Sequence, residues 1–368
     1  MNPIPFIDLN RETDRVRKAY LEDVQQLLLN CSFIGGETVS KFESIFQQRF
    51  GVPHLVGVAN GTDALTLALR AADVRAGDKV LCSSFTFVAT VESICNLGAK
   101  PVFVDIDPET LQTNLAEIQN AWRKNLKTAQ IAWIFGWAPQ DLPTIRKFFA
   151  EQSVSLIEDW AQGVGTKFQG MHVLSQAWMS TVSFYPTKVL GAFGDGGGVG
   201  CSTRELANQI RVLANHGRDT RYTHSEWGYN SRLDTFQAAA LTRKLELFDE
   251  TLKARCDVAA WYRRNLEHPS LRIPKPGPGV EENGYLFPVL CEARDKLQCH
   301  LRDKEIGTMV VYPLPIHQQT AALKYLEDQP SLPGAEQTCR EVLCLPLFAG
   351  MTSGELERVA EAVRSFSP

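Results

Sequence analysis

Lys188 stands in Ser183-Phe184-Tyr185-Pro186-Thr187-Lys188, between an apolar run and the glycine-rich stretch Gly191-Ala192-Phe193-Gly194-Asp195-Gly196-Gly197-Gly198. A lysine is ordinarily solvated. One placed between a buried strand and a flexible loop can be desolvated, and a desolvated amine is nucleophilic enough to condense with an aldehyde. The glycine stretch has neither G-x-x-x-x-G-K-[ST] nor a G-x-G-x-x-G that opens a helix, so it lacks the patterns of a nucleotide loop. A tight connection into Val199-Gly200-Cys201 accounts for it as well.

Ile157-Glu158-Asp159-Trp160-Ala161-Gln162 ends a second apolar run with an acid at its tip. Asp159 there suits either a turn or cap, or a cation such as a pyridinium nitrogen, which a neighbouring carboxylate keeps protonated. Asn60-Gly61-Thr62 follows a third apolar run and precedes a helical face. It is a good N-cap, and its backbone N–H groups, dipole end and hydroxyl also suit a phosphate. Phe85-Thr86-Phe87 follows a fourth run, where an aromatic ring serves core packing or stacks on a flat ligand. Each signal is weak alone, but all occur in one order along one alternating chain.

The elements that must position these residues follow from periodicity. Val39, Phe42, Ile45 and Phe46 recur at helical spacing, as do Leu65, Ala68 and Leu69. Compact apolar runs predict strands at 55–59, 80–82, 101–105, 131–135, 154–157 and 181–185, most of them separated by helix-length segments. Strands apolar on both faces and spaced in this way predict a mainly parallel sheet between helices, with ligands beyond the carboxyl ends of the strands. Residues 235–262 read as helix, and Pro274-Lys275-Pro276-Gly277-Pro278-Gly279 then marks a change of organisation. Strands at 285–290 and 308–312 alternating with helices at 293–306 and 353–366 predict a small α+β unit. The division expected is a large α/β domain over 1–245 and a smaller one over 246–368.

Composition excludes several classes. The 368 residues are 44% hydrophobic and 22% charged, an ordinary globular balance. Thirty-eight Lys+Arg against 42 Asp+Glu give a net charge of -4, with no block of like charge, so no nucleic-acid partner is expected. The nine cysteines include no C-x-x-C pair, so no metal site is expected and reduced thiols of a cytoplasmic protein fit best. No run approaches the length of a membrane span and no targeting segment stands out, which predicts a soluble protein with no membrane partner.

With these residues in place, the chain resembles the fold-type I pyridoxal phosphate (PLP)-dependent aminotransferases, in particular the DegT-like branch that aminates keto groups on nucleotide-linked sugars. The resemblance runs nearly end to end. It is carried by Phe33-Ile34-Gly35-Gly36, Asn60 through Leu65, Thr86 through Thr90, Gly98 through Asp105, Glu158 through Gln162, Ser183 through Gly198, Asn230-Ser231-Arg232-Leu233-Asp234 with Gln237-Ala238-Ala239, and Tyr312 through His317. It implies a seven-stranded sheet and the cofactor pyridoxal 5′-phosphate. Lys188 would form the covalent imine and later carry the proton, and Asp159 would pair with the ring nitrogen. Gln162 would lie near the phenolic oxygen, Phe87 over the ring face, and Gly61, Thr62 and Ser183 around the phosphate. Family members are usually homodimers with shared sites, and Asn230 resembles the residue that reaches the phosphate from the neighbouring subunit. Tyr312 and His317 match a substrate-side segment in type.

The implied activity moves an amino group, with glutamate as the expected donor, to a keto sugar for polysaccharide or lipopolysaccharide synthesis. Dehydrating relatives carry histidine at the lysine position, so Lys188 argues for amino transfer. Ser183 to Lys188 looks more like enzymes acting at the 3-position than at the 4-position, and leaves UDP and dTDP acceptors equally open. Two departures bear on this. Trp133-Ile134-Phe135-Gly136-Trp137 replaces a common His-Leu-Tyr-Gly-Gln, with Trp160 as a third indole, so the surroundings of cofactor or acceptor are expected to be reshaped. Tyr285-Leu286-Phe287 lacks a histidine common in the family. A catalytically silent regulatory protein and an aminotransferase for a non-nucleotide cyclic ketone are the competing readings.

Overall fold

A computed structural model describes residues 2–326 and 329–368. Two helices, α1 (Leu9–Leu29) and α2 (Gly36–Phe50), lead into β1 (His54–Val58), α3 (Gly61–Ala71), β2 (Lys79–Ser83), α4 (Ala89–Asn96) and β3 (Lys100–Val104). The alternation continues with α5 (Leu115–Ala121), β4 (Thr128–Ala132), α6 (Leu142–Glu151) and β5 (Ser155–Asp159). A short hairpin, β6 (Lys167–Phe168) and β7 (Met171–His172), precedes β8 (Met179–Ser183), β9 (Gly197–Cys201) and α7 (Arg204–Ala214). Beyond α8 (Thr235–Glu246) and α9 (Phe248–Asn265) come β10 (Val280–Glu281), β11 (Phe287–Leu290), α10 (Arg294–Asp303), α11 (Thr320–Leu323), α12 (Pro333–Glu341), β12 (Val342–Leu345) and α13 (Ser353–Arg364).

The seven-stranded sheet has the order β1-β9-β8-β5-β4-β2-β3. Neighbours from β8 through β3 are parallel, and β9 runs antiparallel to both β8 and β1. The carboxyl ends of β1, β2, β4, β5 and β8 therefore share one edge with the start of β9. Between β2 and β4 the chain reverses its progress, since β3 adds outside β2 and the crossover returns to the other side. Such a switch point opens a crevice at the carboxyl edge.

Aliphatic runs make these strands because both faces are covered. Val56, Val58, Val80, Leu81, Ile131 and Ile157 are all buried in one large cluster that continues through Phe42, Phe46, Phe50 and Phe184. Glu43 is the polar exception on α2. Its carboxylate accepts from the Gly57 N–H and from Arg211, so a buried charge is paired and also serves β1. A second cluster joins Val258 and Tyr262 of α9, Phe287 and Val289 of β11, Leu343 and Leu345 of β12, and Val359 and Val363 of α13. It takes Ile4 from the first residues of the chain, which bridges Ile306.

The structure departs from the sequence expectations in four places. The strand expected over 131–135 lies at Thr128–Ala132, because Phe135 (φ 63°) and Gly136 (φ 77°) turn the chain through the left-handed region. The expected helix over 235–262 is two helices that meet at Leu247. The strand expected from 285 begins at Phe287, and 308–312 makes one bridge, Met309 to Cys344, rather than a strand. Among the described residues no helix is long and apolar enough to cross a membrane.

Gly136 shows how closely the turn is packed, since a Cβ there would lie 1.7 Å from Asn283 Oδ1. Positive φ and this contact act together, so Gly136→Ala should cost about 2–3 kcal/mol of stability, read as a lower midpoint in urea unfolding with an unchanged slope.

Candidate active site

One cavity of about 500 Å³ opens along the shared strand edge. Its walls come from Asn60, Gly61 and Thr62 after β1, Thr86 and Phe87 after β2, Trp133 and Ile134 after β4, Asp159 and Gln162 at the end of β5, Ser183 and Lys188 after β8, and Gly196 before β9. Residues from both chain ends close it: Phe6 and Ile7 on one side, Tyr285, Leu286, Met309, Val311 and Tyr312 on the other. The topology thus brings eight of the predicted site residues, Gly61, Thr62, Phe87, Asp159, Gln162, Ser183, Lys188 and Tyr312, to one place.

Asp159 is the last residue of β5 and is 5% exposed. Its Oδ2 accepts from Thr90 Oγ1 at 2.8 Å and its Oδ1 from the Ala161 N–H at 3.0 Å. Burial raises its pKa, while these two bonds and the charge of Lys188 oppose the rise. Thr90 is in turn 2.8 Å from Thr86 Oγ1, so a two-threonine chain on α4 and its lead-in fixes the carboxylate plane.

At the other side of the sheet edge, Asn60 Oδ1 accepts from the Asp63 N–H at 2.8 Å and caps α3. That leaves the first N–H groups of the helix, at Gly61 and Thr62, directed toward the cavity, where a helix dipole favours an anion. A Cβ on Gly61 would lie 2.9 Å from Ser183 Cβ, so only glycine lets the helix start sit against the β8 terminus. Ser183, Gly61 and Thr62 form one cradle with the size and donor set of a phosphate.

Lys188 follows a turn closed by its own N–H to the Tyr185 carbonyl at 2.9 Å. Its Nζ lies 4.7 Å from the ring centre of Tyr285. Gln162 is held at both ends: Oε1 accepts from the Phe135 N–H at 2.6 Å and Nε2 donates to Tyr312 Oη at 3.1 Å. Phe87 is 55% exposed with its ring 6.1 Å from that of Tyr312, so one face remains open to a planar ligand. A buried acid, a helix N-terminus with a neighbouring hydroxyl, an amine and a largely exposed aromatic ring in one cavity fit pyridoxal phosphate.

Two predicted residues are not brought to the cavity. His317 is fully buried in the turn Ile316–Gln318, with Nδ1 2.6 Å from Ser84 Oγ and Nε2 3.2 Å from Glu336 Oε1. Burial lowers its pKa against the opposing pull of Glu336. It pins the segment carrying Tyr312 to the tip of β2 instead of facing a ligand. Asn230 lies on an exposed strip beside Asn215, where it accepts from Arg232.

The indoles also differ from expectation. Trp160 faces away from Asp159 and donates to Glu158 Oε2 at 2.9 Å, and Trp137 donates to Glu282 Oε2 at 2.9 Å. Both are core residues, and only Trp133 borders the cavity. Thr90, Asn283 and Tyr285 are contributors that residue-by-residue reading passed over. Asn283 donates to the Gln162 and Val164 carbonyls, and its contact with the Gly136 turn has no local signature in sequence.

A raised carboxylate pKa means that ionising Asp159 opposes folding as pH climbs from the unfolded value, 3.8, through the folded one. Cofactor-free Asp159→Asn should therefore melt no lower than the parent at pH 7. Its advantage should shrink toward pH 4 in a melting series; a variant that melts lower at every pH would contradict this account.

Comparisons with known proteins agree with the geometry. The sequence profile described as the DegT/DnrJ/EryC1/StrS aminotransferase family matches residues 14–364. A UDP-N-acetyl-3-dehydro-alpha-D-glucosamine 3-aminotransferase of Acidithiobacillus ferrooxidans is 35% identical over 98% of this chain and 97% of its own length. A dTDP-3-amino-3,6-dideoxy-alpha-D-galactopyranose transaminase of Aneurinibacillus thermoaerophilus is 35% identical over 99% of both. A pleiotropic regulatory protein of Geobacillus stearothermophilus is 36% identical over 99% of this chain and 98% of its own. The crystal structure of S. venezuelae DesV with a ketimine intermediate superposes with a TM-score of 0.95 at 32% identity, covering 99% of this chain and 98% of that one. With the family profile matching residues 14–364 and relatives above 30% identity along nearly the whole length, the chain belongs to the DegT/DnrJ/EryC1/StrS aminotransferase family.

Proposed function

We propose that this protein is a PLP-dependent aminotransferase that moves an amino group from an amino acid, glutamate first among donors, to the C3 keto group of a nucleotide-linked sugar. The observation that carries the reading is the placement of Lys188 and Asp159 in one cavity with the Gly61-Thr62-Ser183 cradle. Relatives named as 3-aminotransferases of UDP- and dTDP-linked sugars support the acceptor class.

Pyridoxal 5′-phosphate, when bound, supplies an aldehyde that holds the amino nitrogen and a ring that accepts the electron pair released at the neighbouring carbon. The residues of this chain do the rest. Gly61, Thr62 and Ser183 would anchor the phosphate, and Asp159 would keep a proton on the ring nitrogen through its charge. Gln162, fixed by its bonds to Phe135 and Tyr312, would lie near the phenolic oxygen. Lys188 Nζ would be the base that removes and holds the proton of the donor's α-carbon, and in the second half the acid that delivers a proton to the sugar carbon. Phe6, Ile7, Leu286 and Val311 keep water from the reacting carbons.

Among the described residues lining the cavity, Lys188 is the one cation, so the charges of a nucleoside diphosphate require cations from beyond these walls. The exposed strip around Asn230 and Arg232, reaching from a second copy, supplies that in a homodimer with shared sites. Tyr312 then faces the sugar, and polysaccharide or lipopolysaccharide synthesis in the cytoplasm is the setting. The regulatory relative favours a second reading, a silent protein of this fold. Retention of a buried Asp159 beside an unencumbered Lys188 speaks for turnover.

Purified protein mixed with pyridoxal 5′-phosphate should develop a visible imine band that Lys188→Ala abolishes, with kcat reduced by about 10³-fold or more. Glutamate should bleach that band, and the resulting amine form should aminate UDP- or dTDP-linked 3-keto sugars, identified by mass and NMR. A band that glutamate and other amino acids leave unchanged would support the silent reading.

A further inference from the structure

Lys188 must swing between two conditions, joined to the cofactor and released from it, and a long flexible amine has many places to go once released. Among the described residues its Nζ forms no hydrogen bond and no ion pair. What faces it is the ring of Tyr285, whose centre lies 4.7 Å away, within the range where a cation is drawn to an aromatic face.

The backbone that carries that ring is tightly held. Tyr285 is 7% exposed, and its N–H donates to Asn283 Oδ1 at 3.0 Å. Asn283, fully buried, is tied through Nδ2 to the Gln162 carbonyl at 2.7 Å and the Val164 carbonyl at 2.9 Å. Gly284 adopts φ 61° directly under the Arg255 backbone, where a Cβ would lie 2.7 Å from the Arg255 carbonyl carbon. The buried Arg255 guanidinium donates to the Leu347 carbonyl at 3.2 Å on the far side. A fixed backbone and a ring that is nearly all buried together limit where that aromatic face can lie.

We propose that Tyr285 is a positioning residue for Lys188, its ring face being the seat of the ammonium whenever that side chain is covalently free. Resting on the aminotransferase reading, it adds that the released amine is kept within reach of the substrate carbon instead of searching its rotamers. The face of the ring carries this function and the hydroxyl does not. Phenylalanine therefore suffices at this position, whereas an aliphatic residue of similar bulk does not.

Two measurements test it. In the full-length chain freed of cofactor and labelled at the lysine ε-carbons, with Lys188→Arg used for assignment, the Lys188 ε-protons should resonate upfield of the other lysines because they lie over a ring. The displacement should persist in Tyr285→Phe and vanish in Tyr285→Leu. The second measurement is the rate at which Lys188 captures added pyridoxal 5′-phosphate, followed by the imine band. Tyr285→Phe should stay within about twofold of the parent and Tyr285→Leu should slow about tenfold, a cost appropriate to lost orientation. Lys188 ε-protons within the ordinary lysine envelope of the parent protein would overturn the proposal, as would equal capture by the Phe and Leu variants. Should the Leu variant fail to fold, the parent spectrum and the Phe variant decide. An imine band without the proton shift sinks the role of Tyr285 and leaves the aminotransferase reading intact; the shift without a band does the reverse.

Discussion

A buried carboxylate in the wall of the strand-edge cavity is the constraint on which the other features depend. Asp159 is buried enough that charge is unwelcome there, yet its two oxygens accept hydrogen bonds from Thr90 and from the Ala161 backbone. Such a group is a prepared partner for a buried cation: desolvation has been met by folding, and the arriving charge repays it. The parallel strands serve this arrangement by ending at a common edge, so that a turn after β1, an acid at the end of β5 and a lysine after β8 converge although they lie far apart in sequence. The antiparallel β9 adds to the same edge from its start, which places the glycine-rich stretch beside the cradle instead of across the sheet.

Support for the site reaches well outside it. The phenol of Tyr312 touches Gln162, and the segment that carries Tyr312 is clasped by a buried histidine between Ser84 and Glu336. Tyr285 hangs from Asn283, which interlocks with the left-handed turn at Phe135 and Gly136. None of these residues does chemistry, but each removes a degree of freedom from one that does. Preorganisation of this kind lets an active site hold charges and aromatic faces in place without rearranging as the reaction proceeds.

Much of this was legible in the chain. Strand tips ending in Asn60-Gly61-Thr62, Asp159 and Ser183-to-Lys188 could be read because apolar runs and turn residues are local signals, and the alternation of strand and helix then dictates where the tips go. What resisted reading was non-local. Periodicity alone could not say that residues 131–135 leave the sheet at Ala132, since the reason is two positive φ angles and a side chain 147 positions later. Trp133, Trp137 and Trp160 lie close together in sequence near strand ends, yet pleat direction sends Trp160 to the face opposite Asp159. His317 had the right type for a ligand contact, and only burial and its two partners reveal a structural clasp.

The first residues of the chain are stitched to a much later segment: the Ile4 N–H donates to the Glu305 carbonyl and the Gly307 N–H to the Ile4 carbonyl, at 2.9 and 2.8 Å. Phe6 and Ile7, immediately beyond this stitch, form one wall of the cavity. During synthesis on the ribosome these two backbone bonds cannot form until residue 307 has emerged, long after every strand of the large sheet is available to pair. A nascent chain can therefore assemble its scaffold early, and the wall formed by Phe6 and Ile7 is stitched in place only when the first residues meet the segment around residue 306.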